Sequence, residues 1–382
     1  MYKTIEELVT RVDERNNGGI VSELIGVSID KCFIKSVANT NGTDLSKYKI
    51  IRKNDFAVSL MQVSRDGKIP VARLEEYEEA IMSPAYPIFR VKDKNVILPE
   101  YLEMWFKRPE FDREAAFIAV GGVRGSMPWE EFAKMKLPVP TIEKQRKIVN
   151  AYKIVTDRIA LKQKINDNLA NTEQLILYQA ISKNQTIPLS LNEIAEFIDG
   201  DRGKNYPTFD EFSTSGFCLF LNASNVTSSG FNFDSCMFVT EEKDKIMRNG
   251  HLLLNDIVFT SRGTLGNVAL YDKNIKYKNV RINSGMLIIR PKGINLSPYF
   301  IYALLKSNYM KSAIEQFRSG SAQPQLPIKD LQNITFDIPE SQNVLDDLEY
   351  RFFEIEETIS INKREIGNLS ELASILLARL SR

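Results

Sequence analysis

The feature that most constrains this sequence is an internal repeat, in which the second half of the chain resembles the first. The offset is about 200 residues, or half of the 382-residue chain. A glycine-rich or serine-rich segment, a proline junction and a long helix pattern follow one another over residues 121–183 and again over residues 319–382. Shorter landmarks repeat at nearly the same offset: Asn54-Asp55 with Asn255-Asp256, Ser64-Arg65 with Ser261-Arg262, Ile88-Phe89-Arg90 with Ile288-Ile289-Arg290, and Asn168-Leu169 with Asn368-Leu369. Such a duplication predicts two similar globular domains, each followed by a long helix.

The composition is that of a globular protein. Hydrophobic residues make up 43% of the chain and charged residues 26%, both ordinary values for soluble domains. A chain of 382 residues is long enough for two domains that each have a core. The net charge of +1 argues against a generally basic surface, so any nucleic-acid site has to be a local patch.

The sequence predicts neither secretion nor membrane insertion. Met1 to Val9 contains Glu6 and Glu7 and lacks the basic and apolar regions of a signal peptide. No apolar run approaches the length of a membrane span, so we expect a cytoplasmic protein. The three cysteines form no CxxC pair, which favours reduced, buried thiols over disulfides or a zinc site.

Each half of the chain reads as a mixed α/β domain. The predicted domains are residues 1–140 and 184–340, in which many Gly, Asn and Asp clusters separate short elements. Helix patterns cover residues 5–12, 99–111, 191–197 and 297–317, and strand patterns cover residues 55–60, 87–91, 258–260 and 286–290. The fold class is therefore expected to be α+β.

Two long helices are predicted, at residues 141–183 and 341–382. Each exposes a narrow apolar stripe of the coiled-coil kind. Lys162 and Asn166 interrupt it in the first helix, and Asn362, at the position matching Lys162, interrupts it in the second. The first helix has eight basic and four acidic residues, and the second has five basic and eight acidic residues. Opposite charge favours pairing with each other, and a pseudo-two-fold repeat favours an antiparallel pair. The alternative is that each helix packs only on its own domain.

These features together resemble the specificity subunit of type I restriction-modification enzymes, over essentially the whole chain. The proline-rich junction before the first helix resembles the entry into that family's spacer helix, and the second junction keeps its glutamine but loses the double proline. The segments that carry the resemblance are residues 24–29, 83–86, 105–113, 123–125, 137–145, 199–207, 255–266, 282–286 and 338–342.

The resemblance implies two target-recognition domains that each read one half of a gapped, asymmetric site in double-stranded DNA. It implies that the helices act as a spacer and as the dock for two methyltransferase (M) subunits. Those partners would bind S-adenosylmethionine, and restriction (R) subunits would use ATP and Mg²⁺. This chain would itself be non-catalytic and would bind no cofactor, metal or membrane.

The residue types suited to reading DNA lie in polar loops. Arg, Lys, Asn and Gln match the hydrogen-bonding edges of bases and also bind phosphates. The loop that contains Arg202, Lys204 and Asn205 has a rough counterpart at residues 15–17. The loop that contains Arg262 has its repeat mate at Arg65, and residues 241–292 are locally basic. The predicted DNA contacts are Arg15, Asn17, Arg65, Lys68, Arg124, Arg202, Lys204, Asn205, Arg262, Arg281, Arg318 and Gln323. Taken singly, each arginine could equally be a solvated or ion-paired residue.

The sequence lacks the motifs of common catalytic sites. His251 is the only histidine, and it has no partner motif. There is no GxxxxGK[ST] loop and no GxGxxG after a strand. Two other readings remain open: a DNA-cleaving enzyme that acts alone, and a coiled-coil adaptor whose domains bind proteins.

Overall fold

The computed structural model describes residues 1–36, 43–120, 125–293, 296–317 and 325–381. The chain divides into two compact units. Unit 1 comprises Met1–Ala160 and Gly367–Arg382, and unit 2 comprises Leu161–Ile366. Both long helices cross the unit boundary, so the predicted four-part division stays a prediction. None of the described helices is long and apolar enough to cross a bilayer.

Unit 1 is a mixture of short strands and helices. Its strands are β1 (Tyr2–Thr4), β2 (Val9–Val12), β3 (Ile25–Val27), β4 (Phe33–Lys35), β5 (Lys49–Arg52), β6 (Phe56–Val58), β7 (Val71–Arg73), β8 (Glu79–Met82), β9 (Ile88–Val91) and β10 (Lys136–Pro138). Its helices are α1 (Ile5–Leu8), α2 (Val63–Asp66), α3 (Pro99–Phe106), α4 (Pro109–Ile118), α5 (Trp129–Lys134) and the first part of α6 (Ile142–Lys183).

A four-stranded antiparallel sheet of order β2-β9-β6-β7 organises unit 1. Its inner face carries Phe56 and Phe89, whose rings stack 5.3 Å apart. Phe106 of α3 and Phe132 of α5 pack on Phe89 at 6.1 Å and 5.7 Å. This aromatic cluster joins the sheet to the helices and holds the core of the unit.

Unit 2 begins within α6, at Leu161, and repeats this plan after that helix ends. Its strands are β11 (Thr186–Ser190), β12 (Ala195–Asp199), β13 (Cys218–Leu221), β14 (Val226–Thr227), β15 (Gly230–Phe231), β16 (Phe238–Val239), β17 (Ile257–Thr260), β18 (Val268–Leu270), β19 (Val280–Ile282), β20 (Met286–Pro291) and β21 (Thr335–Pro339). Its helices are α7 (Leu191–Ile194), α8 (Glu241–Ile246), α9 (Pro298–Lys306), α10 (Asn308–Phe317), α11 (Ile328–Gln332) and most of α12 (Gln342–Ala378).

The sheet of unit 2 has the order β12-β20-β17-β18, the same arrangement as in unit 1. In both units the first strand pairs with the strand before the long helix, β1 with β10 and β11 with β21. The connecting regions differ. Unit 2 inserts a sheet of order β16-β13-β19, whereas the described residues of unit 1 form the strand pairs β3-β4 and β5-β8 there.

The repeated Asn-Asp landmark has a structural cause. Asn54 and Asn255 adopt the left-handed conformation, with φ of 68° and 72°, which asparagine tolerates better than most residues. The buried carboxylate of Asp55 accepts two hydrogen bonds from Arg90, at 2.9 and 2.8 Å. Asp256 accepts the equivalent pair from Arg290, at 2.8 and 2.7 Å. The same turn therefore ties the same two strands together in each unit.

Two of the predicted helices, 5–12 and 191–197, are too long. The first ends at Leu8, and Val9–Val12 forms strand β2, paired with β9. The second ends at Ile194, before strand β12. In both cases the backbone pairing with a neighbouring strand outweighs the local helix pattern.

Two other predicted helices, 99–111 and 297–317, are each broken in two. The first breaks before Pro109, which has no N–H for a helical bond and begins α4. The second breaks at Ser307, whose backbone is extended at ψ 155°. The Ser307 hydroxyl accepts the Met310 amide at 3.1 Å, so it caps α10.

The predicted antiparallel pairing of the long helices is confirmed within unit 2. Lys162 of α6 donates to the Asn362 side chain of α12 at 2.8 Å and forms an ion pair with Glu365 at 2.8 Å. Asn362 in turn donates to Asn166 at 2.8 Å. The polar residues that interrupt the two apolar seams thus satisfy one another, and the pairing fixes the register of the helices.

A buried ionic cluster joins both helices to α9 of unit 2. Lys306 donates to Glu173 at 2.7 Å and to Glu356 at 2.6 Å. Burial raises the pKa of Glu173 to about 8. Burial alone would lower the pKa of Lys306, but Tyr302 and the two carboxylates outweigh it and raise that pKa above its usual range. One ammonium therefore holds two carboxyl groups together in the interior.

Candidate nucleic-acid interface

In unit 2, the predicted polar loops leave the same edge of the four-stranded sheet. Strand β12 ends at Asp199, which pairs with Leu287 of β20. Strand β17 ends at Thr260, which pairs with Met286, the first residue of β20. The loops that follow β12 and β17 therefore emerge beside the turn that precedes β20.

Close contacts join these loops. Arg202 donates to the Ser284 carbonyl at 3.3 Å, and the Ser261 amide donates to the Gly285 carbonyl at 3.1 Å. A Cβ at Gly200 would lie 2.2 Å from the Asn283 carbonyl oxygen, so this approach requires glycine. The structure thus brings together the loop that contains Arg202, Lys204 and Asn205 and the loop that contains Arg262.

The predicted DNA contacts on this surface of unit 2 differ in how strongly other residues of the unit restrain them. Arg202 is half-exposed and forms an ion pair with Asp199 at 2.9 Å, and Lys204 is exposed. Asn205 donates its side-chain amide to the Ile246 carbonyl at 3.0 Å. Arg262 is partly exposed, and its backbone forms an isolated bridge with Gln325.

Arg281 has a structural role. Its side chain is 7% exposed, and its guanidinium donates to the Asp244 carboxylate at 2.5 Å. It also donates to the backbone carbonyls of Asn249, Asp244 and Met247, at 2.8, 2.9 and 3.2 Å. A buried guanidinium with this many partners cannot reach DNA without breaking the fold, so we withdraw Arg281 from the predicted contacts.

The equivalent sheet edge of unit 1 carries the first-half loops. Ile88, at the start of β9, pairs with Val12 at the end of β2 and with Ala57 of β6. The Met127 amide donates to the Leu60 carbonyl at 2.8 Å. Unit 2 has the equivalent bond, in which the Leu326 amide donates to the Ser261 carbonyl at 3.3 Å. Both of these residues lie about 200 positions after their counterparts in unit 1.

The first loop of unit 1 is partly structural. Arg15 donates to the Lys47 carbonyl at 2.8 Å and forms an ion pair with Asp13 at 3.1 Å. Asn16 is buried, and its side chain bonds to both the amide and the carbonyl of Val21. Asn17 lies in a turn and is exposed. Asn17 therefore remains accessible, whereas Arg15 is partly restrained.

The second loop of unit 1 presents Arg65 and Lys68, which are both exposed. Gly125 packs closely against this loop. A Cβ at Gly125 would lie 2.6 Å from the Ser64 hydroxyl oxygen and 3.2 Å from the Arg65 backbone nitrogen. The remaining predicted contacts, Arg124, Arg318 and Gln323, lie outside the described residues.

Sequence reasoning missed the residues that hold the arginines in place. Asp199 is three residues before Arg202, and this spacing could have suggested the ion pair. Gln62 bonds to Arg65 and has a left-handed backbone, with φ of 62°. Nothing in the sequence signals that conformation, because glutamine has no preference for it.

Comparisons with known proteins agree with this architecture. Residues 188–367 match the family model described as "Type I restriction modification DNA specificity domain". A curated relative, the type I restriction enzyme MjaIX specificity subunit of Methanocaldococcus jannaschii, is 21% identical over 304 residues, covering 75% of this chain and 69% of the relative.

A solved structure shares the fold, and a second was compared. The type I restriction-modification S subunit from M. genitalium aligns with a TM-score of 0.61 at 17% identity, covering 100% of this chain and 96% of that one. The HsdS subunit from Thermoanaerobacter tengcongensis aligns with a TM-score of 0.37 at 14% identity, covering 100% of this chain and 96% of that one.

Residues 188–367 thus contain a domain of the type I restriction modification DNA specificity family. The chain as a whole is similar to the specificity subunits of type I restriction enzymes.

Proposed function

We propose that this chain reads a bipartite, gapped site in double-stranded DNA and positions methyltransferase subunits on it. The observation that carries the proposal is the duplication of one surface: in each unit, exposed cationic side chains leave the same edge of the same sheet. Arg65 and Lys68 occupy this edge in unit 1, and Arg202 and Lys204 occupy it in unit 2. Two like surfaces on one chain suit a ligand with two half-sites.

The chemistry of these side chains fits recognition. Lysine binds phosphate as a point charge, whereas arginine presents parallel N–H groups that match the acceptors of guanine. We propose that catalysis is left to the partners: methyltransferase subunits that use S-adenosylmethionine, and restriction subunits that use ATP and Mg²⁺. The assembled complex would act in the cytoplasm, where its DNA lies.

Exposed apolar residues on the long helices support the docking of partners. Leu161 and Ile361 are repeat mates and remain 59% and 42% exposed, although the helices are paired. Leu175 and Ile375 are also repeat mates, and both are exposed. Apolar side chains repeated in this way offer two similar patches, which suit two copies of the same methyltransferase subunit.

The function is tested by selecting DNA from a random library with this chain bound to a methyltransferase subunit. We expect a motif with two defined halves and an unread gap, methylated only when both proteins are present. Arg202→Ala is expected to relax one half of the motif and to leave the other unchanged, at a cost of about 1–3 kcal/mol for a base contact.

Two results would contradict the proposal. One is methylation or cleavage of DNA by the purified chain alone, which would make it an enzyme. The other is a complex that selects no sequence, which would favour the adaptor reading. The buried Arg281 makes a poor comparison for Arg202→Ala, so the control is Lys94→Ala, an exposed lysine of unit 1 outside the predicted contacts.

The docking prediction concerns Leu161 and Ile361. Changing both to glutamate is expected to weaken the binding of methyltransferase subunits by at least about tenfold, because each charge would have to be desolvated at an apolar interface. Isothermal titration with the purified subunit measures this. Gln163→Glu adds the same charge at an exposed position of α6 about 200° around the helix, and it should bind normally. Unchanged binding of the double variant would exclude Leu161 and Ile361 from the interface.

A further inference from the structure

We propose that Arg65 reads a guanine in the half-site bound by unit 1, and that Gln62 and Asp66 are its positioning residues. This inference rests on the proposed DNA-binding function and assigns one base class within it. It starts from the hydrogen bonds of the Arg65 side chain, which is 64% exposed.

The partners of Arg65 occupy one edge of its guanidinium. Nε donates to Asp66 at 2.9 Å, and Nη2 donates to the Gln62 side-chain oxygen. Both bonds lie on the side edge of the planar group. Within residues 1–36, 43–120 and 125–293, no hydrogen bond engages the terminal edge, which keeps the N–H groups of Nη1 and the second N–H of Nη2. Two parallel donors of this kind match the O6 and N7 acceptors of guanine in the major groove.

Two other predicted contacts, Arg15 of unit 1 and Arg202 of unit 2, have terminal nitrogens engaged. Arg15 uses Nη1 to bind the Lys47 carbonyl at 2.8 Å and Nη2 to bind Asp13 at 3.2 Å. Arg202 shares Nη2 between Asp199 and the Ser284 carbonyl, at 3.0 and 3.3 Å. Among the described residues, Arg65 is therefore held in place by bonds that leave its terminal edge open, which is the arrangement that favours bidentate contact.

The backbone of Gln62 gives independent support. Its φ of 62° and ψ of 21° put a glutamine in the left-handed region, where residues with a side chain are strained. Such strain persists where the surrounding structure enforces it, often at functional sites. Here the left-handed residue lies just before α2, and its side-chain oxygen meets Arg65 three residues later.

The segment that carries Arg65 is anchored in the core at both ends. Val63 and Ile69, on either side of it, are fully buried in the core of unit 1. The Ile69 amide donates to Asp112 of α4 at 3.0 Å, and Asp112 is also ion-paired with the buried Lys31 at 2.8 Å. Anchoring of this kind is expected to lower the entropy cost of ordering the arginine on DNA. Lys68, exposed at the end of the same loop, suits a phosphate contact.

The test uses the full chain bound to a methyltransferase subunit and a DNA library with both half-sites varied. Wild type is expected to select a guanine at one position of one half-site. Arg65→Lys keeps the charge but loses the paired donors, and it should reduce the preference for that guanine by at least about tenfold. Gln62→Gly removes the side-chain support and relieves the left-handed backbone, and it should relax the same position by a smaller factor without lowering the melting temperature.

Controls separate the possible outcomes. Lys68→Ala should weaken binding to all sequences alike, as loss of a phosphate contact does, and the half-site read by unit 2 should stay unchanged in every variant. A uniform loss with Arg65→Lys would make Arg65 a phosphate contact and overturn the inference. An unchanged motif would overturn it as well. If wild type selects no motif at all, the proposed function fails first, which is a different result from a motif that does not respond to Arg65.

Discussion

Replacing Lys306 by methionine is expected to destabilise unit 2 by about 3–5 kcal/mol, because it would leave two buried carboxyl groups without their cation. The side chain of Glu173 is fully buried, and that of Glu356 is 9% exposed. Urea denaturation measures the change in the free energy of unfolding, and hydrogen exchange of the α9 amides shows whether the change falls on unit 2. Arg351→Met removes the cation of the exposed pair with Asp347 and should cost at most about 1 kcal/mol.

The same cluster predicts a dependence of stability on pH. The pKa of Glu173 is raised from 4.5 to about 8 in the folded protein. Between these two pH values, the unfolded chain releases a proton that the folded protein retains. The contribution of Glu173 to the free energy of unfolding is therefore fully present below about pH 4.5 and is lost as the pH rises toward 8.

Glu173→Gln tests this origin of the pH dependence. An amide resembles the protonated acid: its oxygen can still accept from Lys306, and its N–H groups can donate to Glu356. We expect this variant to be at least as stable as wild type above pH 8, and to lose less stability between pH 5 and pH 8. An unchanged slope in the variant would show that Glu173 is not the titrating group.

The spacer role that we propose for α6 and α12 predicts a change in the recognised gap. Seven residues inserted after Gln163 and seven after Lys363 would lengthen each helix by about 10 Å. These insertion points flank the contact between Lys162 and Asn362, and a heptad keeps the apolar seam in phase. We expect both half-sites to be retained and the gap to grow by about three base pairs of roughly 3.4 Å each.

Affinity is also expected to fall in the insertion variant, because about three added base pairs rotate one half-site by roughly 100° relative to the other. Selection from libraries that vary the gap length gives both the new spacing and the loss. Inserting four residues at each point shifts the seam out of phase and should disrupt the helix pair itself. Retention of the original gap by the heptad variant would rule out the helices as the spacer.

The large-scale organisation followed from the sequence because it rests on periodic patterns. The 200-residue offset predicted that Asp55 and Asp256 would be equivalent, and both hold an arginine of the neighbouring strand. The apolar seams predicted the paired helices. Predicting these features required only repetition and spacing, which are properties of the chain itself.

Shorter elements and single site residues were harder to predict because tertiary contacts decide them. Residues 9–12 continue a helix pattern, yet pairing with β9 makes them a strand. Arg281 lies in a basic stretch, yet the Asp244 carboxylate and three backbone carbonyls hold it inside. The left-handed backbone of Gln62 likewise depends on packing around α2. An exposed and a buried arginine look the same in a sequence.

The contact between Lys162 and Asn362 has an evolutionary consequence. These residues are 200 positions apart, so each touches its own counterpart in the duplication. Such a contact marks a local symmetry axis, where two separate copies of a single-repeat ancestor would have placed identical side chains against each other. Two asparagine side chains at this position can hydrogen-bond to each other, whereas two lysine side chains repel each other. Divergence of one copy to lysine would thus have favoured pairing within the fused chain over exchange with another molecule.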